Sequence, residues 1–426
     1  MFNFAGFFKI KEMTQEIKNQ GEETRIFTLT GGMRCVHRRS RGAVSYIGVA
    51  VGAGSRDERP DLHGLAHFVE HTIFKGTENR NSWRISNRME SVGGELNAYT
   101  TKEETLVYTC APSEYTERAL ELLSDLIRHS TFPEAELTKE RKVVCEEIKS
   151  YLDSPGDDVY DRFEEMIYAG SPMAHNILGS ESSVDTLRGT DCRGFIDDFY
   201  TSDDMVLYIS DPCESSRAER LAEKYFGMIS SRRAASRGEA PAIVPQFCEE
   251  HNEDGYQAHT LMGVRTFDRD DPRRFPLFLL NNYFGGLCMN SRLNQELRER
   301  RGYVYTVESS VALMSDCGLM QIYFGSDLSH VGKCRDIIRR ELEKLAESPI
   351  SSAKFEQIRR QYIGQLLVST DHRESVAMAM GKSVLYYGEV HDAAWTAERI
   401  REVTAEQVRE VAETLATRGL SSLTLA

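Results

Sequence analysis

The stretch HFVEHTIFKG, residues 67–76, and the stretch LFLLNNYFGG, residues 277–286, lie 210 positions apart and can be laid one on the other. Phe68 and Phe74 then fall on Phe278 and Phe284, and Gly76 falls on Gly286. A recurrence on this scale marks two related structural units in one chain. Two unrelated α+β domains are the plainer alternative. The overlay is uneven in one respect. His67, Glu70 and His71 meet Leu277, Leu280 and Asn281, which are no metal-ligand set. Any metal chemistry at 67–71 therefore belongs to the first half alone.

Outward from 67–76, strand-like and helix-like patterns alternate. Residues 24–30 and 45–53 are β-rich runs bounded by glycines. Residues 62–75 read as a helix, with Leu65, Ala66, Val69 and Ile73 at spacings of three and four. A second helix at 82–91 stops at Gly93-Gly94, a C-cap signal. Strands at 96–99 and 105–111 follow, then helices at 113–129, 133–152 and 157–168, a strand at 205–210 and a helix at 215–226. The stretch SSRRAASRGEAPAIVP, 230–245, is polar, holds two prolines and lacks apolar periodicity, as a linker does. Beyond it the pattern restarts: a strand at 259–264, helices at 273–283 and 291–300, strands at 304–312 and 319–325, and helices from Val331, Ser351, Asp371 and Ala405. The expected division is an N-terminal extension at 1–24, one domain at 25–230, a linker at 231–245 and a second domain at 246–426. The expected fold class is α+β, two similar domains, each a mostly antiparallel sheet packed with helices.

The 426 residues suit two or three domains at about 150 residues each. Lys and Arg number 52 against 66 Asp and Glu, a net charge of −14 that disfavours phosphate backbones and anionic membranes. No run approaches the ~18–20 apolar residues of a membrane span. The opening MFNFAGFFKIKEM lacks a basic leader and a small-residue cleavage site, and Met13 is an alternative start. Nine scattered cysteines without a C-x-x-C pair point to reduced thiols and a cytoplasmic protein.

The chemistry is concentrated in His67-Phe68-Val69-Glu70-His71. On a helix, i and i+4 lie about 40° apart and i+3 about 60° to the other side, so the three polar side chains share one face. Two imidazoles one turn apart can bind one zinc ion, with the carboxylate held beside it. About 0.03 chance occurrences of this pattern are expected in such a chain, so incidental histidines on a solvated face account for it poorly. His63 extends the ladder, and a His63/His67 pair ranks below His67/His71. A catalytic zinc needs a third protein ligand. The helix ERKVVCEEIKSY, 140–151, places Glu140 and Glu147 seven apart on one face, so one can ligate while the other orients a ligand imidazole. Spacing leaves Glu146 and Glu147 equal.

HGLAHFVEHTIFKGT with ERKVVCEEI downstream resembles the pitrilysin-type inverted-zinc (H-x-x-E-H) metallopeptidases, in particular bacterial single-unit members similar to mitochondrial processing peptidase. GGELNAYT at 93–100, SPMAHNILG at 171–179 and NSRLNQELRERRGYVY at 290–305 extend the likeness over most of the chain. The loop Gly285-Gly286-Leu-Cys288-Met-Asn holds only two glycines where members often have a glycine-rich loop.

The resemblance implies one zinc per chain on His67, His71 and Glu147, Glu70 as general base, and Glu140 behind a ligand. It implies that Arg298 and Tyr305 contact the substrate or the developing oxyanion. It also implies that Leu96, Asn97, Ala98 and Tyr99 form an edge strand for extended peptides. The two domains would make half of a clamshell, completed by a homodimer or, alternatively, a heterodimer. The implied activity is zinc-dependent endopeptidase or oligopeptidase. The competing readings are a non-catalytic or partner-dependent subunit, and a zinc hydrolase of a non-peptide amide.

Overall fold

The computed structural model describes residues 15–19, 22–229, 240–251 and 257–426. The N-terminal extension and the linker expected at 231–245 lie largely outside the described residues. Within them, Gln15–Asn19 is a strand and 240–245 has no regular structure.

Seven strands make the first sheet: β1 (Gln15–Asn19), β2 (Glu22–Thr28), β3 (Arg34–Arg39), β4 (Val44–Val51), β5 (Glu95–Thr100), β6 (Thr105–Pro112) and β7 (Met205–Asp211). Their order is β1-β2-β3-β7-β4-β6-β5, antiparallel except for the parallel pair β3–β7. The helices of this half are α1 (Leu65–Thr72), α2 (Ser82–Glu90), α3 (Thr116–His129), α4 (Glu134–Leu152), α5 (Pro155–Ile167), α6 (Glu181–Val184), α7 (Gly189–Phe199) and α8 (Ser215–Phe226).

The second sheet holds β8 (Cys248–His251), β9 (Ala258–Thr266), β10 (Val304–Leu313), β11 (Gly318–Ser326) and β12 (Ser421–Leu425), in the order β10-β11-β9-β12-β8. Its helices are α9 (Arg274–Gly285), α10 (Val331–Glu347), α11 (Ser352–Ser369), α12 (Arg373–Tyr387), α13 (Ala393–Glu402) and α14 (Ala405–Arg418). Read backwards, this order is β8-β12-β9-β11-β10, which matches β3-β7-β4-β6-β5 strand for strand, with β8–β12 the parallel pair. The halves are therefore similar α+β domains, as the 210-residue overlay implies, and α1 and α9 hold equivalent places.

The sequence reading misses the strands β1, β3, β8 and β12 and the helices α6, α7 and α13. In β3 (RCVHRR) the buried Cys35, Val36 and His37 are flanked by arginines that hide the alternation. In β12 (SSLTL) every residue is buried, although three of the five are hydroxyl-bearing. The helix expected at 291–300 is a π-helix over Asn294–Glu299.

Strand β7 (MVLYISD) is buried at every position, so its sheet needs cover on both faces. One face is covered by helices of its own half, in the core of Val49, Phe68, Leu120, Leu123 and Leu207. The other is covered by α12 of the second half, through Ala377, Met380 and Val384 on Ala50, Leu106, Val206 and Tyr208. Gly381 makes this approach possible, because a Cβ there would stand 2.4 Å from the Tyr208 ring. Reciprocally, α5 of the first half lays Val159, Phe163 and Ile167 on Leu261, Leu319, Leu423 and Leu425 of the second sheet. Each fully buried side chain of this size contributes about 1.5–3 kcal/mol, so the exchange of helices binds the halves firmly.

Polar contacts reinforce it. The turn between β5 and β6 presents Glu103, which accepts from Arg56 at 2.6 Å and from the Ser315 hydroxyl at 2.6 Å. Arg56 also donates to Asp316, and Lys382 of α12 pairs with Glu104 at 2.6 Å. The edge strand β5 is thus fastened to the second half at its C-terminal end. All nine cysteines are free. No helix among the described residues is long and apolar enough to cross a membrane.

Candidate metal centre

Helix α1 is aimed by its N-terminus. Gly64 has φ +90°, and a Cβ there would meet the Leu178 carbonyl oxygen at 2.5 Å, so only glycine fits. The buried Glu58 carboxylate accepts from the backbone N–H groups of Gly64 at 2.8 Å and Ala66 at 2.7 Å. It caps a helix from outside the helix's own sequence, where the macrodipole favours a negative charge. His175 donates to the same carboxylate, Nε2 to Oε2 at 3.0 Å. With Leu65, Ala66, Phe68 and Val69 locked in the core, His67 and His71 emerge one turn apart, ring centroids 4.6 Å from each other.

Helix α4 packs against α1 and brings its acidic face to the imidazoles. Glu147 Oε2 lies 3.7 Å from His67 Nε2 and 3.3 Å from His71 Nε2. Two turns earlier, Glu140 Oε2 stands 3.4 Å from His71 Nδ1, and its other oxygen pairs with Lys75 at 2.7 Å. This fixes the His71 ring with Nδ1 toward Glu140 and Nε2 toward Glu147. Glu146 points away: its side chain is 75% exposed and pairs with Lys149 at 2.9 Å. The two glutamates that spacing leaves equal are separated by the helix's rotation, about 100° per residue.

The electrostatics suit cation binding. Burial, helped by neighbouring His71, pushes the His67 imidazole down to about 3, so it is neutral and offers a lone pair near neutrality. Burial raises the Glu70 carboxyl above its ordinary range, with Thr100 and His71 pulling the other way and Glu147 adding to the rise. Glu70 thus has a raised proton affinity, with His71 and Glu147 of the cluster and Thr100 at the end of β5 among its neighbours. Ligand atoms of His67, His71 and Glu147 all lie within 4.8 Å of one another. A tetrahedral zinc with bonds of about 2.0–2.1 Å spaces its ligand atoms about 3.3 Å apart, close to the two measured separations. Two imidazoles and one carboxylate fit zinc and leave a fourth position open.

The remaining predicted residues fall in three places. His63 precedes the helix and stacks on His175, ring centroids 3.9 Å apart, so the His63/His67 pairing is not formed. Leu96, Asn97, Ala98 and Tyr99 lie on β5, which among the described residues pairs with β6 alone and is one edge of its sheet. Arg298 is exposed in the π-helix, and Tyr305 is 62% exposed on β10, an edge of the other sheet among the described residues. Tyr305 sits at a bulge between Val304 and Thr306, and its hydroxyl donates to Asp327 at 2.9 Å. Among the described residues, neither Arg298 nor Tyr305 is hydrogen-bonded to the imidazole–carboxylate cluster.

Sequence reasoning assigns no role to Glu58, His175 or Lys75. Glu58 and His175 meet across 117 residues, and neither stands in a periodic pattern. It also passes over a polar cluster of the buried His37 and Asp211 with the half-buried Cys213. There His37 joins Asp211 and Ser215 at 3.0 Å each, and Asp211 accepts from Thr116 at 3.1 Å. These bonds tie the ends of β3 and β7 to α8.

Comparison with known proteins places the chain in a family. The family described as insulinase (Peptidase family M16) matches residues 34–181, and that described as the M16 inactive domain matches 187–362. An uncharacterised zinc protease of Bacillus subtilis is 33% identical over 392 residues, covering 92% of this chain and 95% of the relative. The beta subunit of the mitochondrial processing peptidase of Caenorhabditis elegans is 27% identical over 402 residues, covering 91% and 86%. Among solved structures, a peptidase M16 inactive domain from Pseudomonas fluorescens matches with a TM-score of 0.87 at 18% identity, over 94% of this chain and 97% of that one. At that identity the likeness concerns the fold.

Proposed function

The chain belongs to the insulinase family of peptidases, M16, and from that premise we propose that it is a zinc-dependent endopeptidase of extended peptides. The observation that carries this reading is the convergence of His67, His71 and Glu147, with Glu70 on the same helix beside them. In this reading those three residues hold one zinc per chain and Glu140 orients His71. Residues 25–230 form the catalytic unit, and 246–426 the unit without metal.

A bound zinc supplies Lewis acidity, polarising the scissile carbonyl and lowering the pKa of water to about 7. Glu70 takes the proton from the attacking water and delivers it to the leaving amine, a role its raised proton affinity supports. The peptide pairs with β5 through backbone hydrogen bonds, along Leu96, Asn97, Ala98 and Tyr99. That recognition is tolerant of sequence and predicts broad specificity. Tyr305 and Arg298 donate hydrogen bonds to the substrate or to the developing oxyanion.

Neither Tyr305 nor Arg298 is hydrogen-bonded to the cluster of its own chain among the described residues, and in this reading they act across a homodimer interface, each second half serving the partner's metal centre. The reduced cysteines support a cytoplasmic setting. The test is metal analysis with chelator-sensitive cleavage of an unstructured, quenched peptide. A metal-loaded protein that cleaves no such peptide, alone or with a second subunit, would overturn the peptidase reading. For action across the interface, a Glu70→Gln chain mixed with an Arg298→Ala chain is expected to regain activity, and no recovery refutes that arrangement.

A further inference from the structure

Helices α2 and α3 bound an open groove of about 460 Å³ on the first half. Its wall carries four guanidiniums in an otherwise acidic protein: Arg80, Arg84 and Arg88 at intervals of four residues, and Arg118 facing them from α3. The helical repeat of 3.6 residues stacks Arg84 and Arg88 of α2 one turn apart, and Arg80 joins them from the segment that precedes the helix.

Two carboxylates balance part of this charge. Glu121 accepts from Arg80 at 2.6 Å and from Arg88 at 3.1 Å, and Asp125 accepts from Arg80 at 2.5 Å. Four positive groups against two negative ones leave two positive charges in excess. Arg84 is exposed, and its guanidinium has no hydrogen-bond or ion-pair partner among the described residues. The buried Nε of Arg88 is likewise unpartnered. Arg118 rests on the Tyr115 ring and, among the described residues, donates only to the Arg88 backbone carbonyl at 3.3 Å. The groove therefore presents several unused N–H donors on planar groups, and Asn87 lines it with a further amide.

We propose that this groove is an anion site that takes a compact oligophosphate, whether inorganic or the phosphate chain of a nucleotide. Guanidiniums bind phosphate oxygens in pairs, with directional, charge-assisted hydrogen bonds. The lining has no aromatic face for a base, so recognition rests on the phosphates. A concave pocket with converging arginines fits a compact anion of many oxygens better than the spaced carboxylates of an acidic peptide. None of its lining residues belongs to the metal centre, so the site stands independently of the peptidase reading.

The test is calorimetric titration and thermal-shift measurement of the zinc-loaded protein with inorganic tripolyphosphate, ATP and a glutamate-rich peptide, at low and high salt. Tripolyphosphate is expected to bind and to raise the melting temperature, more weakly at high salt. Comparable affinity for ATP assigns recognition to the phosphate chain, and markedly tighter ATP binding assigns the source to a nucleotide. Arg84→Ala with Arg118→Ala is expected to weaken binding about tenfold or more, by loss of charge-assisted hydrogen bonds. Arg84→Ala alone, at an exposed position, serves the same purpose if the double variant fails to fold. The proposal is overturned by absent binding of both phosphates, by variants that bind as the parent does, or by tighter binding of the acidic peptide. A thermal destabilisation equal in parent and variant is chelation of the metal, and also overturns it.

Discussion

Replacing Glu58 by alanine tests how the metal centre is aimed, because Glu58 touches neither imidazole that faces Glu147. Its carboxylate is the acceptor for three donors: Gly64 N–H, Ala66 N–H and His175 Nε2. Each buried donor left without an acceptor costs about 1–3 kcal/mol. Water entering the vacated space brings the three together toward the low end, about 3 kcal/mol in total. The cost falls on the first turn of α1, where Gly64 already holds a left-handed conformation, and His67 is the third residue of that helix. A first turn that no longer holds its geometry loosens His67, so the expected loss of zinc affinity is about 10–100-fold, typical of residues behind a metal ligand. The assay is competition against a chromophoric zinc chelator, with hydrogen exchange at Ala66–Phe68 as the structural readout. Glu58→Gln, which keeps one acceptor oxygen, is expected to lie between parent and alanine. An alanine variant that binds zinc within about threefold of the parent, while exchange at α1 rises, would refute the link between cap and metal.

Three further outcomes follow from the same geometry. Glu70→Gln is expected to keep its zinc and lose about 10²–10⁴ in peptide cleavage rate; near-parental hydrolysis would remove Glu70 from the proton-transfer step. Glu147→Gln is expected to lower zinc content after dialysis while Glu146→Gln leaves it unchanged, since the Glu146 side chain is turned to solvent; the reverse pattern assigns the third ligand wrongly. In the zinc-free protein, His67 is held near 3 against an ordinary 6.5, so below pH 6.5 the unfolded chain takes up a proton that the folded chain refuses. Its contribution to stability is therefore full above that pH and falls by about 1.4 kcal/mol per unit as the pH drops toward 3. Urea unfolding at descending pH should show a shallower loss for His67→Gln, and equal slopes would contradict it.

Much of the fold was legible because its signals are local. The helix at 65–72 announces itself by apolar spacing, and 215–226 by its amphipathic repeat. Two of the hidden strands are ones whose burial comes from distant chain. Strand β3 reads as a basic hexapeptide until β2 and β7 flank it, and β12 reads as a polar terminus until β9 and β8 enclose it. The exchange of α5 and α12 had no sequence signal either, since an apolar stripe shows that a helix is covered and not by which sheet.

The sequence alone determined the His67/Glu70/His71 constellation, because one helical turn dictates which side chains share a face. It also pointed to a two-fold repetition with the constellation in the first half, and the matching strand orders of the two sheets decided for similar domains over unrelated ones. Spacing left Glu146 and Glu147 equal and the resemblance implied Glu147; the rotation of α4 against α1 is the physical reason that Glu147 is the one at the imidazoles. Only the tertiary structure brought Glu58 and His175 beneath the helix and left β5 and β10 as sheet edges among the described residues. Such contacts join residues tens to hundreds of positions apart, and packing, which periodicity does not encode, decides them.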